Sequence, residues 1–273
     1  MNAQWRIFRG AQQLPAVPAD DRGLAYGDGV FETMRAHAGV VPWWPAHWSR
    51  LAAGAQRLGI ALPDAEQVRA EVADLLAGRS AVLKLQLTRG SGTRGYAPRA
   101  DATPLWLLSL HPLPAPAPAA CTLVWCQTRL ARQPLLAGIK HCNRLEQVLA
   151  RREVATAGAD EGLVRDVAGR VTSGTTGNLF LLDDEGWHTP ELGHAGIAGI
   201  CRSWVCTQRP VRERRIRVDE VMSAQALFLC NSVRGILPVG RLDTRVFPPH
   251  PEVAALQRLL AAAHPAFAST GPA

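Results

Sequence analysis

Lysine is almost absent from this chain, although basic residues are common. Of the 30 lysines and arginines, only Lys84 and Lys140 are lysines. A lysine amine can form a Schiff base, whereas an arginine guanidinium keeps its proton and cannot replace it. Lys140 follows the flexible Gly138 and precedes an apparent helix, which suits a reactive side chain. Spacing alone favours an ordinary surface lysine.

Other absences bound the function. No segment approaches a charge-free membrane span, and the first residues contain no apolar signal region, so we expect a soluble cytoplasmic protein. No block of five or six like charges occurs, and the net charge of +7 comes from scattered arginines. This pattern favours an acidic small molecule over nucleic acid as a partner, and arginine-rich codon usage explains it equally well.

The cysteines do not form a metal-binding pattern. Six are present, with two Cys-x4-Cys spacings and no Cys-x2-Cys, and most lie in apolar runs. We therefore expect reduced core residues and no metal site. There is also no GxGxxG dinucleotide fingerprint and no internal repeat. With 273 residues and 47% hydrophobic content, the chain can form one large or two modest domains.

Residues 111–120 mark a domain boundary, because their alternating prolines and alanines favour an extended conformation. We predict a small domain at residues 1–110, a linker at 111–120 and a larger domain at 121–273. Interspersed helices and strands with frequent hairpins predict an α+β fold. Predicted strands lie at 5–8, 30–37, 81–88, 105–110, 122–125, 162–166, 178–182, 211–215 and 226–230, and predicted helices at 46–58, 63–76, 200–208 and 251–262.

A further helix is predicted directly after Lys140. Asn143 is a candidate N-cap, and apolar or long side chains recur after it at helical spacing. The residues that set this spacing are Leu145, Val148, Leu149, Arg152 and Glu153.

Two glycine-containing segments are candidate anion sites. The loop at 89–96 could hold a carboxylate against Arg94 and Tyr96, or it could be a plain turn with solvated arginines. The segment at 196–202 opens a helix with small residues, so its unpaired amides could bind a phosphate. Ordinary helix entry explains the second segment equally well.

Taken in order, these features resemble the fold-type IV pyridoxal phosphate enzymes. The resemblance covers nearly the whole chain. Within that family, the stretch Gly-Ile-Lys-His-Cys-Asn-Arg-Leu-Glu-Gln at 138–147 is similar to aminodeoxychorismate lyases, more than to branched-chain or D-amino-acid transaminases. The matching motifs lie at residues 26–33, 47–51, 88–96, 138–147, 174–180, 199–202 and 229–232.

The resemblance implies a two-domain fold, with a small N-terminal α/β domain and a larger C-terminal domain containing a mixed sheet or barrel. It implies pyridoxal 5'-phosphate as cofactor, with Lys140 forming the Schiff base and acting as acid and base. Arg50, the amides of Ile200 and Cys201, and the hydroxyl of Ser232 match the family's phosphate site. Family members are commonly homodimers.

On the substrate side, the resemblance places Arg94 and Tyr96 at a substrate carboxylate. Ser173 departs from the family pattern, because a glutamate usually stands there and pairs with the pyridine nitrogen. A serine offers only a neutral hydrogen bond and so weakens the electron sink, which disfavours transamination more than a lyase reaction driven by aromatisation.

The expected activity is conversion of 4-amino-4-deoxychorismate, an anionic chorismate derivative, to 4-aminobenzoate and pyruvate in folate biosynthesis. The alternatives are a D-amino-acid or branched-chain aminotransferase, and a weakly active or non-catalytic pyridoxal phosphate binder.

Overall fold

The computed structural model describes residues 4–268, and the chain divides into two compact units. The first contains Met1–Pro114 and Ile139–Asn143, and the second contains Ala115–Gly138 and Arg144–Ala273. The break after Pro114 falls inside the predicted linker, where residues 112–118 form neither helix nor strand.

The segment Ile139–Asn143 belongs to the first unit, although the sequence prediction assigned it to the domain at 121–273. Backbone hydrogen bonds to a strand of the first unit explain the difference. The amide of Phe31 donates to the carbonyl of Lys140 at 2.9 Å, and the amide of Cys142 donates to the carbonyl of Gly29 at 2.9 Å.

The first unit contains a five-stranded antiparallel sheet with strand order β2-β1-β5-β4-β3. Residues of β3 and β4 pair in a regular register, with Thr33 opposite Lys84. Its elements are β1 (Gln4–Arg9), β2 (Gln12–Leu14), α1 (Arg22–Tyr26), β3 (Gly29–Ala36), α2 (Trp44–Leu58), α3 (Ala65–Leu76), β4 (Ala81–Thr88) and β5 (Leu105–His111).

Alternation along β3 builds the core of this unit. Val30, Met34 and Ala36 are buried and belong to one hydrophobic cluster with Leu51 of α2. Their spacing of two places them on one face of the strand. Glu32 lies in the same series and is 1% exposed, so this apolar face carries one charged side chain.

The second unit contains a mixed sheet with order β11-β10-β9-β12-β13-β6-β7-β8, and β14 pairs with β13. Three pairs are parallel: β10 with β11, β13 with β6, and β6 with β7. Its elements are β6 (Cys121–Leu130), α4 (Leu145–Thr156), β7 (Glu161–Asp166), β8 (Val171–Gly174), β9 (Asn178–Asp183), β10 (Gly186–Pro190), α5 (Ile200–Gln208), β11 (Val211–Arg214), α6 (Val218–Ser223), β12 (Ala226–Asn231), β13 (Gly235–Leu242), β14 (Arg245–Val246) and α7 (Pro251–Ala263).

The predicted α+β class is confirmed, with a small antiparallel sheet in the first unit and a larger mixed sheet in the second. Within residues 4–268, no helix is long and apolar enough to cross a bilayer. All six cysteines are reduced, and four of them are buried, while Cys142 and Cys206 are half-buried.

Helix α4 differs from its prediction. The N-cap is Arg144, not Asn143. The side chain of Asn143 is directed elsewhere, because its Nδ2 donates to the carbonyl of Gly27 at 3.4 Å. The apolar residues that set the helical spacing face outward, since Leu145 is 78% and Val148 is 60% exposed. The buried side chains of α4 are instead Ala150 and Val154.

Candidate active site

Arg50, the predicted phosphate ligand, is held by a buried carboxylate. Its Nε donates to Oε1 of Glu32 at 2.8 Å, and its Nη2 donates to Oε2 at 2.6 Å. Such a two-point bond fixes the plane of the guanidinium group as well as its distance. The Arg50 side chain is 11% exposed, so the pair is shielded from solvent.

His47 completes this cluster from the preceding turn of α2. Its Nδ1 lies 2.6 Å from Oε2 of Glu32. Burial lowers the pKa of His47 despite the opposing contact with Glu32, so the imidazole is neutral and Nδ1 donates its proton. Burial alone would raise the pKa of Glu32, but hydrogen bonds from His47 and Arg50 outweigh it and the net pKa is lowered. Glu32 is therefore an ionised acceptor of both side chains.

Lys140 lies in the same unit as this cluster. Its Nζ is 4.4 Å from the centroid of the Phe31 ring, a distance typical of a cation–π contact. Its charge also contributes to the lowered pKa of His47. Lys140 therefore lies close enough to the Glu32 cluster for their charges to interact.

The loop with Arg94 and Tyr96 is anchored through its backbone, while both side chains are exposed. Arg22 of α1, buried to 4% exposure, donates to the carbonyls of Gly95 at 2.9 Å and Tyr96 at 2.7 Å. The Tyr96 ring packs edge-on against Tyr26, with centroids 5.4 Å apart. The loop is thus fixed in place, and its side chains are available to a ligand.

Arg22 is in turn oriented by Asp28. The Asp28 carboxylate accepts from Nε of Arg22 at 2.9 Å and from Nε of Arg89 at 2.7 Å. Burial would raise the pKa of Asp28, but the bonds from Arg89 and Arg22 outweigh it and lower the pKa. An ion-pair network therefore connects the end of β4 with α1 and the loop.

In the second unit, α5 begins at Gly199 without a side-chain cap. The amides of Ile200 and Cys201 lie in its first turn, where the helix dipole favours an anion. Asn178 of β9 supports this start, because its Nδ2 donates to the carbonyl of Ile197 at 2.9 Å. A Cβ atom at Gly199 would lie 2.0 Å from Oδ1 of Asn178, so only glycine fits there.

The first turn of α5 contains Cys201, and strand β12 contains Cys230. Both thiols are buried. Burial, with a smaller contribution from the neighbouring Cys201, raises the pKa of the Cys230 thiol, so Cys230 remains uncharged. Ser232, the fourth predicted phosphate donor, lies two residues after Cys230 in the turn that follows β12.

The backbone before Lys140 also takes part in the second unit. The amide of Gly138 donates to the carbonyl of Gly196 at 3.0 Å, and the amide of Ala198 donates to the carbonyl of Gly138 at 2.9 Å. Gly138 has a φ of +83°, a conformation that favours glycine. This pairing fixes the segment that precedes α5.

Ser173 lies in β8 and is half-buried. Its hydroxyl donates to the carbonyl of Gly174 at 2.8 Å, so its oxygen retains lone pairs that can accept a hydrogen bond. The carboxylate of Glu161, on the neighbouring strand β7, binds the turn that follows β8. It accepts from the amides of Thr175 at 3.2 Å and Thr176 at 3.1 Å, and from both hydroxyls.

The predicted site residues are divided between the units. Arg50, Lys140 and the 89–96 loop belong to the first, and Ser173, Ile200, Cys201 and Ser232 belong to the second. Sequence reasoning assigned no role to Glu32, His47, Arg22 or Asp28. For Glu32 a signal was present, since a carboxylate in an otherwise apolar alternating strand predicts a buried ion pair.

Comparisons with known proteins agree on one family. The family model described as amino-transferase class IV matches residues 29–242. Aminodeoxychorismate lyase of Vibrio harveyi is 35% identical over 237 residues, which cover 83% of this chain and 88% of the relative. D-alanine aminotransferase of Bacillus licheniformis is 29% identical over 239 residues, which cover 84% and 83%.

Solved structures give the same result. The crystal structure of 4-amino-4-deoxychorismate lyase from Pseudomonas aeruginosa matches with a TM-score of 0.87 and 41% identity, covering 95% of this chain and 98% of that chain. The branched-chain amino acid aminotransferase of Escherichia coli matches with a TM-score of 0.84 at 20% identity, which shows the fold alone. The predicted fold-type IV architecture is confirmed.

Proposed function

Because the chain belongs to the class IV aminotransferase family, whose members use pyridoxal phosphate, we propose that it is a lyase acting on 4-amino-4-deoxychorismate. The products are 4-aminobenzoate and pyruvate, which supply folate biosynthesis. The observation that supports this choice is the 41% identity to the Pseudomonas aeruginosa lyase over nearly the whole of both chains. D-alanine aminotransferase of Bacillus licheniformis is less similar, at 29%.

The available donors fit the cofactor. A phosphate dianion requires N–H and O–H donors, and Arg50, the uncapped amides of Ile200 and Cys201, and the Ser232 hydroxyl are of this kind. The aldehyde requires an amine, and Lys140 is one of only two lysines. We propose that these residues hold pyridoxal phosphate, with Ser173 accepting or donating one neutral hydrogen bond at the pyridine nitrogen.

When bound, the cofactor supplies an electron sink that acidifies the C–H bond of the amine-bearing carbon. With the cofactor bound, the free amine of Lys140 would take the proton from that ring carbon at Nζ. The ring C–O bond to the enolpyruvyl group then breaks as the ring becomes aromatic. The departing enolpyruvate takes up a proton and becomes pyruvate.

Arg94 and Tyr96 are proposed to bind a carboxylate of the substrate. Their side chains are exposed, and Arg22 fixes the backbone between them. A guanidinium and a phenol are suitable donors for a carboxylate. A net charge of +7 also favours an anionic substrate.

Ser173 supports the lyase over an aminotransferase. Transamination depends on a protonated pyridine to stabilise the carbanion, and a serine cannot supply the negative charge that keeps that proton. Aromatisation drives the lyase reaction without the same requirement. Glu161 binds the Thr175–Thr176 turn through its carboxylate. It therefore does not compensate for the carboxylate that is missing at residue 173.

A homodimer is proposed from the family resemblance, and the exposed Leu145 and Val148 on α4 support it, because apolar surface of this kind favours association. Light scattering on the purified protein tests it directly. The expected mass is twice 29.4 kDa, and a monomer at assay concentration contradicts the proposal.

The test of the reaction class is a comparison of two substrates on one preparation. Cofactor-loaded protein is given 4-amino-4-deoxychorismate, or a D-amino or branched-chain amino acid with a keto acid. We expect 4-aminobenzoate from the first and negligible amino transfer from the second. Efficient amino transfer without 4-aminobenzoate would establish the aminotransferase instead, and turnover of neither would indicate a non-catalytic binder.

A further inference from the structure

We propose that Glu32 is a positioning residue for the cofactor phosphate, acting through Arg50. This inference rests on the proposed function, in which Arg50 binds that phosphate. Glu32 does not need to touch the cofactor itself. Its role is to fix which edge of the Arg50 guanidinium faces the phosphate.

The geometry of the bond supports this role. The Glu32 carboxylate accepts from Nε and Nη2 of Arg50. These two nitrogens form one edge of the planar guanidinium, so the edge that carries Nη1 is turned away from Glu32. A single-point contact would let the plane rotate, whereas the two-point contact does not.

Glu32 is itself held from two sides. Its backbone belongs to β3, which pairs with β4 along the whole length of β3. Its Oε2 is bonded to Nδ1 of His47, one turn before Arg50 on α2. Glu32 and His47 are each 1% exposed, so water cannot readily replace either partner. The three side chains therefore form a rigid unit between the sheet and α2.

The charge balance gives Glu32 a second effect. His47 is neutral and Glu32 ionised, so the carboxylate offsets the single charge of Arg50. Burying an unpaired guanidinium would be unfavourable without a counter-charge. Glu32 therefore keeps Arg50 in place before the phosphate arrives, which lowers the ordering cost of binding.

The experiment compares pyridoxal phosphate with pyridoxal, which lacks the phosphate, on the full chain. The measured quantity is the ratio of their dissociation constants, read from the visible absorbance of bound cofactor. Wild-type protein should strongly prefer pyridoxal phosphate, and Arg50→Met should reduce the ratio. Glu32→Gln, which keeps the shape but loses the charge, should reduce it by about tenfold or more.

The double variant Glu32→Gln with Arg50→Met separates this role from a general loss of structure. If Glu32 acts through Arg50, the double variant has the same ratio as Arg50→Met alone. Additive losses would show that Glu32 acts independently and would overturn the proposal. If Glu32→Gln does not fold, Glu32→Asp replaces it. The shorter carboxylate cannot reach both nitrogens of Arg50, so its ratio should lie between those of wild type and Arg50→Met.

Asp28→Asn is the matched control, because Asp28 also accepts from arginine side chains in the first unit, but from Arg22 and Arg89. The ratio for Asp28→Asn should equal that of wild type. A loss in Asp28→Asn as large as the loss in Glu32→Gln would overturn the inference. A wild-type ratio in Glu32→Gln would also overturn it while leaving the proposed function intact. If Arg50→Met keeps the wild-type ratio, the phosphate assignment in the proposed function fails first.

Discussion

The Nζ atoms of Lys84 and Lys140 lie over the same ring, that of Phe31, at 5.1 and 4.4 Å from its centroid. The only two lysines of the chain are thus brought to one place by different elements. Lys84 is part of the internal strand β4, which is paired on both sides, whereas Lys140 lies in a segment outside helices and strands. Both lysines lie close to Phe31, so proximity to this ring does not show which of them binds the cofactor. A chemical test must identify the cofactor lysine.

We predict that the cofactor attaches to Lys140 alone. Borohydride reduction of the loaded protein, followed by proteolysis and mass spectrometry, should place the label on the peptide containing Lys140. Lys140→Ala should abolish the visible absorbance, because no side-chain amine would remain at the required position. Lys84→Ala should retain it. A label on Lys84, or absorbance that survives Lys140→Ala, contradicts the assignment.

Ser173→Glu tests the electron sink. The carboxylate should pair with the pyridine nitrogen and favour its protonation, so lyase turnover should hold or rise. Ser173→Gln is the control, since it has the same size without the charge and should not reproduce a rise. Turnover is measured as 4-aminobenzoate release. A clear loss in Ser173→Glu would mean that the site depends on serine.

Arg22→Met tests the substrate loop. Loss of the two bonds to the carbonyls of Gly95 and Tyr96 should leave the loop less ordered. We expect KM to rise about tenfold with a smaller change in kcat and unchanged cofactor absorbance. Arg99→Met is the control, because Arg99 is exposed and pairs with Asp101 only two residues away. Equal KM values in the two variants would argue against a role for the loop.

The lowered pKa of Asp28 predicts a loss of stability in acid. The folded-state pKa lies below the unfolded value, so the contribution is complete above the unfolded pKa of about 3.9 and is lost as the pH falls through the folded pKa. Asp28→Asn should cost about 2 kcal/mol at neutral pH. In urea titrations, its difference from wild type should shrink in strong acid. A difference that does not change with pH would rule out this linkage.

Local patterns in the sequence were sufficient for most of the first unit. The alternation in Ala81–Thr88 predicted β4 with its observed bounds, and Asp64 marked the start of α3, where it caps the amide of Gln67 at 2.7 Å. The element β13 was not predicted, because Pro238 and Gly240 interrupt its apolar pattern. Short elements such as β10 and α6 carry too few residues for a periodic signal.

For the candidate site, too, the sequence was informative about some features and not about others. Motif order predicted roles for Lys140, Arg50 and Ser173, and these roles stay predictions. It did not predict which residues bond to the side chains of the site. Arg22 contacts Gly95 and Tyr96 more than 70 residues along the chain, and no local pattern reports such a pairing. The apolar spacing of α4 was misleading for a related reason, since Leu145 is exposed and the spacing says only that one face is apolar, not what covers it.

The proposed lyase activity is tested most directly by following both products at once. Purified, cofactor-loaded protein is given 4-amino-4-deoxychorismate, with pyruvate measured by a coupled dehydrogenase and 4-aminobenzoate by its fluorescence. We predict equal amounts of the two products at equal rates from wild type, and none from Lys140→Ala. Folded, cofactor-loaded wild-type protein that releases neither product would contradict the account.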